Sequence, residues 1–217
     1  MRFLGLLLAL SLFSLALLVS GCARGPVVSP ETAQAEATYL AWTNQVNDLE
    51  TWRLAGQLTL ELPDERWSGQ LSWRSIAQRQ VVDWSGPMGR GGGRLFLQPE
   101  GVRLVTREGE EYQANTPDEL MVHLTGQVIP IEGLQYWVRG LTRPGIPHQL
   151  RLDPQGRPMR LVQDGWEIRF GSFAVHSIEG TARQLTLPMS LELQRGEIVL
   201  RLTTQRWQIT GPVYVQR

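Results

Sequence analysis

The chain has 217 residues, a formal net charge of zero from 21 basic and 21 acidic side chains, 8 tryptophans and 1 cysteine. All of the basic residues are arginine, so a P-loop and Schiff-base chemistry are excluded, because both need lysine. The balanced charge indicates no nucleic-acid-binding surface, and the single cysteine excludes a framework of internal disulfides.

Residues 1–21 have the features of a secretory signal peptide: a basic residue at Arg2, an apolar run and small residues after it. Cys22 directly follows the Val-Ser-Gly of residues 19–21, which is the position of a lipobox cysteine. We expect cleavage before Cys22, a diacylglycerol on its thiol, an acyl chain on its amine and no other cofactor. The run also has the length of a short membrane helix, so a retained anchor is the alternative.

Residues 22–29 are predicted to form a tether, and residues 30–217 a single domain that is large enough to bury a core. Ser29 is a suitable N-cap for a first helix, which has a proline at its first position. Apolar side chains recur at the helical period from Tyr39 to Leu49, so one face of this helix should pack on the rest of the domain.

From residue 52 the period of the apolar side chains changes to two, which is typical of strands with one buried face. Turns rich in Pro, Gly and Asp separate the alternating segments at short intervals, so we expect an antiparallel meander. Its strands are predicted within residues 52–62, 67–73, 82–84, 95–97, 102–104 and 112–114.

A glycine-rich segment interrupts the meander and is predicted to project from the surface. Met88 is a lone apolar side chain in this segment, and its flexible thioether could enter a bilayer interface while Arg90 and Arg94 hold lipid phosphates. The alternative is a hairpin loop whose methionine folds back onto the sheet. The candidate membrane-insertion loop comprises Gly86, Pro87, Met88 and Gly89.

Two helices and further strands are predicted after the meander. Thr116 and Glu119 form a capping box for the first of these helices, and Gly126 ends it. The second helix carries Leu134 and Trp137 on its apolar face. The later strands are predicted at residues 149–152, 159–163, 166–170, 187–193 and 197–209.

The predicted fold class is mainly β with helices (α+β): a half-open antiparallel β-barrel of about eleven strands with a helical lid over an apolar cavity. In the last strand the apolar parity changes between Leu202 and Trp207, which indicates a β-bulge. A curved sheet under a lid leaves room for an apolar ligand, whereas the simpler interpretation of many tryptophans is a packed core. The candidate cavity residues are Leu54, Leu58, Trp73, Phe96, Leu134, Trp137, Trp166, Phe170, Leu191 and Leu193.

Patterns that would indicate catalysis are missing from the sequence. His123, His148 and His176 are predicted on a helix, at a strand start and in a loop, without the paired spacing of metal ligands. The glycine cluster of residues 89–93 does not match a dinucleotide-binding fingerprint, because Arg94 occupies the place of its last glycine. We predict no metal site, no catalytic residue and no enzymatic activity. A lipid-handling protein is favoured, and a lipid-anchored scaffold or structural envelope lipoprotein is the alternative.

Several short segments, each weak alone, form an ordered set behind the lipobox. They are residues 52–58, residues 86–89, residues 126–130 with Leu134, Trp137 and Gly140 after them, residues 163–166, residues 187–188, and Trp207. This set resembles the LolB family of outer-membrane lipoproteins over nearly the whole mature domain. Met88 departs from the leucine that is usual at the loop tip of the family.

The resemblance implies the half-open barrel and lid described above, and a monomeric protein that does not bind nucleic acid. It implies three partners: a LolA-like periplasmic carrier, acylated lipoprotein cargo received from that carrier, and outer-membrane phospholipid into which the cargo is inserted. Ala23 stands after the lipidated cysteine where an inner-membrane lipoprotein would have aspartate. The resemblance therefore implies an anchor in the inner leaflet of the outer membrane, with the domain facing the periplasm. A soluble-carrier relative that gained an anchor stays open.

Overall fold

The structure is a computed structural model, and it describes residues 30–49, 51–89 and 91–211. The candidate signal peptide, the tether with Cys22, and Arg90 lie outside the described residues.

The described residues from Gln34 onward form one compact unit, which contains one 13-stranded sheet. The strands are β1 (Thr51–Glu61), β2 (Arg66–Ile76), β3 (Arg79–Ser85), β4 (Gly92–Gln98), β5 (Gly101–Thr106), β6 (Glu111–Ala114), β7 (His148–Leu152), β8 (Pro158–Gln163), β9 (Trp166–Phe170), β10 (Phe173–Glu179), β11 (Gln184–Pro188), β12 (Ser190–Arg195) and β13 (Ile198–Thr210). The helices of the described residues are α1 (Pro30–Asn47), α2 (Pro117–Thr125) and α3 (Ile131–Trp137).

The continuous path through the sheet is β6-β5-β4-β3-β2-β1-β13-β12-β9-β8-β7, and neighbours on this path are antiparallel. Strands β6 and β7 are its edges, and no pairing joins them within the part of the chain that is described, so the sheet is open. β10 and β11 form a hairpin, and β10 attaches to β13 by a short parallel pairing that includes Ile178 and Ile209. The predicted fold class, a mainly β, half-open antiparallel barrel with helices, is confirmed.

Two strand predictions differ from the structure. Residues around His176 were expected to be a loop but form β10. Ile178 is the buried side chain of this strand, so the sequence has little of the apolar alternation from which a strand is predicted. The strand expected at residues 187–193 is divided at Met189 into β11 and β12. The Met189 N–H donates to the carbonyl of Ser172, next to the hairpin, and the Met189 carbonyl accepts from the N–H of Thr204 in β13, so the pairing passes from the hairpin to β13 at this residue.

The predicted bulge in the last strand is confirmed. Ala55 of β1 faces Arg206 of β13, and the next residue, Gly56, faces Thr204, so Gln205 is the extra residue. The two strands approach closely here, since a Cβ added at Gly56 would lie 2.3 Å from the carbonyl oxygen of Thr203. Glycine is therefore required on the strand opposite the bulge.

The helices begin and end close to the predicted positions. The capping box of α2 is confirmed: Thr116 Oγ1 accepts from the Glu119 N–H at 3.2 Å, and a Glu119 oxygen accepts from the Thr116 N–H at 3.3 Å. Gly126 ends the helix with a φ of 69°. In α1, the buried face packs on the sheet domain as expected, and Trp42 Nε1 donates to the carbonyl of Thr186 at 2.8 Å.

A ladder of alternating charges crosses the outer face of the sheet on β2, β1, β13, β12, β9 and β8. Each central side chain bridges two neighbours, and this joins strands that are distant in sequence. Exposed pairs of this kind contribute little one by one, but a connected network holds its members in place. The pairs are Arg66–Glu61 (3.4 Å), Arg201–Glu61 (2.9 Å), Arg201–Glu192 (2.8 Å), Arg169–Glu192 (3.3 Å), Arg169–Glu167 (2.7 Å) and Arg160–Glu167 (2.6 Å).

The ladder predicts a loss of stability in acid. The hydrogen bond from Arg160 lowers the pKa of Glu167 from 4.5 to about 2. A carboxylate with a lowered pKa stabilises the fold above its unfolded pKa and loses this effect as the pH falls through its folded pKa. At neutral pH the midpoint of urea unfolding should therefore be lower for Glu167→Gln than for the natural chain. This difference should shrink as the pH falls below about 4.5 and vanish near pH 2.

Glu197→Gln is the matched control, because Glu197 is exposed and lies outside the ladder. A pH-dependent difference of equal size for both variants would contradict the role given to Glu167.

Candidate functional site

An apolar cavity of about 380 Å³ lies between one half of the inner sheet face and the helices α2 and α3. The sheet contributes Leu58, Leu60, Trp67, Leu71, Trp73, Val82, Trp84, Leu95, Leu104, Thr106, Tyr112, Leu200 and Leu202. The β1–β2 turn contributes Leu62 and Glu65, and the helices with their connections contribute Met121, Leu124, Thr125, Ile129, Ile131, Leu134 and Val138. Its volume lies in the range of about 300–1,000 Å³ that is typical of small-molecule sites.

The cavity opens at the end of the sheet where β1 turns into β2. Along β1 the inward side chains change from buried at Trp52 and Leu54 to half-buried at Leu58 and Leu60, so the cover over the strand ends part-way along it. Glu65, the charged residue of the lining, is exposed at the rim. Water therefore reaches the mouth, while the interior offers apolar side chains, which suits a ligand with a polar head and an apolar tail.

Two indole rings of the cavity wall lie in close contact with glycines of the sheet. A Cβ added at Gly69 would lie 2.6 Å from the Trp67 ring, and one added at Gly93 would lie 2.9 Å from the Trp84 ring. Any side chain at either glycine would push the ring away from the sheet and into the cavity. The close approach of ring and backbone therefore keeps the cavity open.

The structure brings Leu58, Trp73 and Leu134 of the predicted lining together on the cavity wall. Six other predicted residues lie in the packed core, mostly beneath the other half of the sheet, where α1 and α3 cover it. These six, for which the expected cavity position is wrong, are Leu54, Trp137, Trp166, Phe170, Leu191 and Leu193.

Phe96 is on the opposite face of the sheet. Its neighbours Leu95 and Leu97 are the inward residues of β4, so the alternation of the strand turns Phe96 outward. There the Arg103 guanidinium lies 4.2 Å from the centre of the Phe96 ring, which is a cation–π contact. The predicted cavity role of Phe96 is therefore wrong.

Sequence analysis missed much of the true lining. Leu60 and Trp67 continue the alternation of the first two strands and could have been found from it. The contribution of Met121, Leu124 and Ile131 depends on how α2 and α3 cross the sheet, and no local pattern reports this.

The lid helix α3 is held over the sheet by buried amide groups. Gln163 Oε1 accepts from Trp137 Nε1 at 2.9 Å and from the Arg143 N–H at 2.8 Å. The amide nitrogen of Gln163 donates to the carbonyls of Arg143 and Ile146 at 2.9 and 3.0 Å. All of the hydrogen-bonding capacity of this buried side chain is used, so it fixes both the helix and the segment after it.

A second chain of hydrogen bonds joins α3 to the cavity wall. Trp73 Nε1 donates to Gln80 Oε1 at 2.8 Å, and Gln80 Nε2 donates to Gln135 Oε1 at 2.9 Å. Arg139, just after α3, donates to the carbonyl of Gln135 and lies over the Trp52 ring. Burial lowers the pKa of Arg139 to about 10, so it stays charged at neutral pH.

The loop between β3 and β4 projects from the sheet. Met88 is 89% exposed and has a φ of 53°, and the N–H of Gly89 donates to the carbonyl of Gly86 at 3.0 Å. The alternative in which Met88 folds back onto the sheet is therefore wrong. Arg94 does not reach outward freely, because its Nε lies 2.5 Å from an Asp83 oxygen.

The loop and the mouth of the cavity lie at the same end of the sheet. In the antiparallel meander, the turns β1–β2, β3–β4 and β5–β6 are all located at this end of the strands. Trp84, close to the end of β3, lines the cavity, and Met88 follows a few residues later in the loop. The structure thus combines an apolar container and an exposed apolar tip on one side of the domain.

Two further properties concern the described residues alone. None of their helices combines the length and the apolar composition needed to cross a bilayer. Among the same residues, no group of three or more His, Cys, Asp and Glu side chains could hold a metal ion.

An open antiparallel sheet with helices over an apolar cavity is the class of fold that the structure defines, and sequence comparison narrows this class to a family. The sequence model of "LolB: Outer membrane lipoprotein LolB" matches residues 50–207. The chain therefore belongs to the LolB family of outer-membrane lipoproteins, and its role is in lipoprotein localisation.

Curated relatives cover nearly the full length. The chain is similar to "Outer-membrane lipoprotein LolB" of Alkalilimnicola ehrlichii, with 34% identity over 197 residues, 89% of this chain and 93% of the relative. For the same-named protein of Nitrosococcus oceani the identity is 33% over 203 residues, 93% and 97% of the two chains. A putative outer membrane lipoprotein-sorting protein domain from Vibrio parahaemolyticus shares the fold, with a TM-score of 0.52, 9% identity, and 84% and 95% coverage.

Proposed function

We propose that this chain receives the acyl chains of lipoprotein cargo from a LolA-like periplasmic carrier in the cavity, and then inserts the cargo into the outer membrane. The observation that supports this proposal most directly is that the mouth of the apolar cavity and the exposed Met88 lie at the same end of the sheet. An acyl chain could pass between the cavity and the bilayer at this end with little exposure to water.

The energetics require an apolar receiver and a downhill path. Removal of an acyl chain from an apolar environment costs about 0.8 kcal/mol per CH₂, or roughly 10 kcal/mol for a chain of ordinary length. The sequence has no lysine and hence no P-loop that could couple transfer to a nucleotide. Affinity for the cargo should therefore rise from the carrier to this protein and from this protein to the bilayer.

The proposal includes a covalent anchor and no enzymatic activity. Acyl groups on Cys22 would hold the domain at the inner leaflet of the outer membrane, facing the periplasm, and residues 22–29 would be the tether. A monomer suffices for this role, because cavity and loop belong to the same chain. The competing function is a lipid-anchored scaffold whose cavity takes up no transferable ligand.

A fluorescent fatty acid separates these two functions. Binding to the purified chain should raise its emission, and a triacylated peptide should displace it, whereas the same peptide without acyl groups should not. No uptake of the fatty acid, or equal displacement by both peptides, would contradict the proposal and leave the scaffold.

Met88 should act at the insertion step. We expect Met88→Glu to slow the release of cargo into liposomes about tenfold. The reason is that an apolar side chain at position 88 would be buried in the bilayer during insertion, and the loss of this burial costs about 1.5 kcal/mol. Acceptance of cargo from the carrier should stay unchanged, since Met88 is not part of the cavity lining. Both steps can be followed with a fluorescent lipoprotein.

Met159→Glu is the matched control, because Met159 is also exposed but lies on β8, away from the loop. Loss of acceptance together with normal insertion in Met88→Glu would reverse the assignment of the two steps.

A further inference from the structure

Arg107 lies beside the projecting loop, although it belongs to the turn after β5. A Cβ added at Gly89 would lie 3.4 Å from Arg107 Nη1, so the guanidinium is a near neighbour of the loop tip. The Arg107 N–H also donates to the carbonyl of Gly92 at 3.2 Å, which ties the β5–β6 turn to the base of the loop. The side chain itself is exposed.

The charge of Arg107 is available for a ligand, in contrast to the charges of Arg94 and Arg103 on the neighbouring strands. Arg94 is paired with Asp83 at 2.5 Å, and Arg103 with Glu111 at 3.3 Å. Within the described parts of the chain, no carboxylate lies in ion-pair distance of the Arg107 guanidinium.

A groove of about 440 Å³ lies next to the loop on the outer face of the sheet, and Arg107 lines the end of the groove that is nearest to the loop. Arg94, Arg107 and Asp83 are the charged side chains of its lining, so the groove has a positive formal charge. Gln70, Ser72 and Ser85 add groups that can donate hydrogen bonds. This outer groove is separated from the apolar cavity by the sheet and is not needed to hold acyl chains.

We propose that Arg107, at the head of this groove, binds the phosphate of a membrane glycerophospholipid when Met88 enters the bilayer. The inference rests on the proposed insertion role of the loop. An apolar tip that enters the interface brings the cations beside it to the level of the headgroups. A guanidinium matches a phosphate with two parallel hydrogen bonds, and Arg107 has no competing carboxylate to displace first.

The test uses the full lipid-anchored chain reconstituted into vesicles, with Met88→Cys labelled at its thiol by a polarity-sensitive fluorophore. One set of vesicles contains phosphatidylethanolamine and phosphatidylglycerol, and the other contains digalactosyldiacylglycerol, which has no phosphate. Arg107→Gln should lower the ratio of inserted to water-exposed label about fivefold in phospholipid vesicles and leave it unchanged in galactolipid vesicles.

Arg151→Gln is the charge-matched control and should leave the label unchanged in both sets, because Arg151 is an exposed residue of the distant edge strand β7. An equal effect of Arg107→Gln on both vesicle types, or no effect on either, would overturn this inference alone. Displacement of the label from phospholipid vesicles by inorganic phosphate would assign the groove to a free anion and would overturn it too. A label that stays in water while Arg107 is intact would contradict the insertion step, whereas the fatty-acid assay tests the cavity separately.

Discussion

Leu58→Glu should weaken the binding of an acyl chain in the cavity about thirtyfold and stall cargo on its carrier. Leu58 is half-buried on the cavity wall, so a glutamate there is tolerated by the fold but meets the ligand. A glutamate that an acyl chain covers without a hydrogen-bonding partner takes up a proton, and the neutral carboxyl group still costs about 2 kcal/mol, which corresponds to about thirtyfold in affinity. Titration with the fluorescent fatty acid measures the binding, and transfer from the carrier measures the stall.

Gln57→Glu provides a control with the same added charge on the same strand. Gln57 is exposed and points to the opposite face of the sheet, so its substitution should change neither affinity nor transfer. Unfolding curves of the two variants separate an effect on the cavity from an effect on stability. If Leu58→Glu is folded and still strips acylated cargo from the carrier at the normal rate, the assignment of the cavity is wrong.

The positions of Leu58 and Trp166 show how far the sequence predicts this site. Both residues follow an alternating pattern, and the structure places both on the inner face of the sheet. Whether an inward side chain meets a ligand or the packed core depends on which half of the sheet a helix covers closely. Trp166 lies in the closely covered half and Leu58 in the other, and this difference arises from helix packing between residues distant in sequence.

The sequence predicts which face of the sheet a side chain points to better than it predicts which inward side chains line the cavity. The parity change near Leu202 identified the bulge, because one extra residue reverses the facing of all later side chains. The same rule places Phe96 outside, since Leu95 and Leu97 are inward. Arg107 could not be found from the chain, because its closeness to Gly89 depends on two turns that meet only in the folded sheet.

The two halves of the interior are joined through Gln163. Its oxygen accepts from Trp137, which lies in the packed core, and its nitrogen holds the segment at Arg143 and Ile146. Leu134, one turn before Trp137 on the same helix, lines the cavity. The shape of the cavity therefore depends on a hydrogen-bonded group outside it.

Gln163→Leu should accordingly lower the free energy of unfolding by about 3 kcal/mol or more. Gln163 is 1% exposed, and leucine would leave the Trp137 indole N–H, the Arg143 N–H and two carbonyl oxygens without their partner. Each buried polar group left without a hydrogen bond costs about 1–3 kcal/mol, although water can enter and reduce part of the sum. Urea unfolding followed by tryptophan fluorescence measures the loss.

Gln149→Leu makes the same substitution at an exposed position on β7 and should change the free energy of unfolding by no more than about 0.5 kcal/mol. The fatty-acid titration adds a functional readout, because a loosened α3 moves Leu134 on the cavity wall. We expect weaker acyl binding in Gln163→Leu under conditions where the protein is still folded. Equal stability of the two variants would show that α3 is held by its apolar contacts and that the amide of Gln163 does not fix the lid.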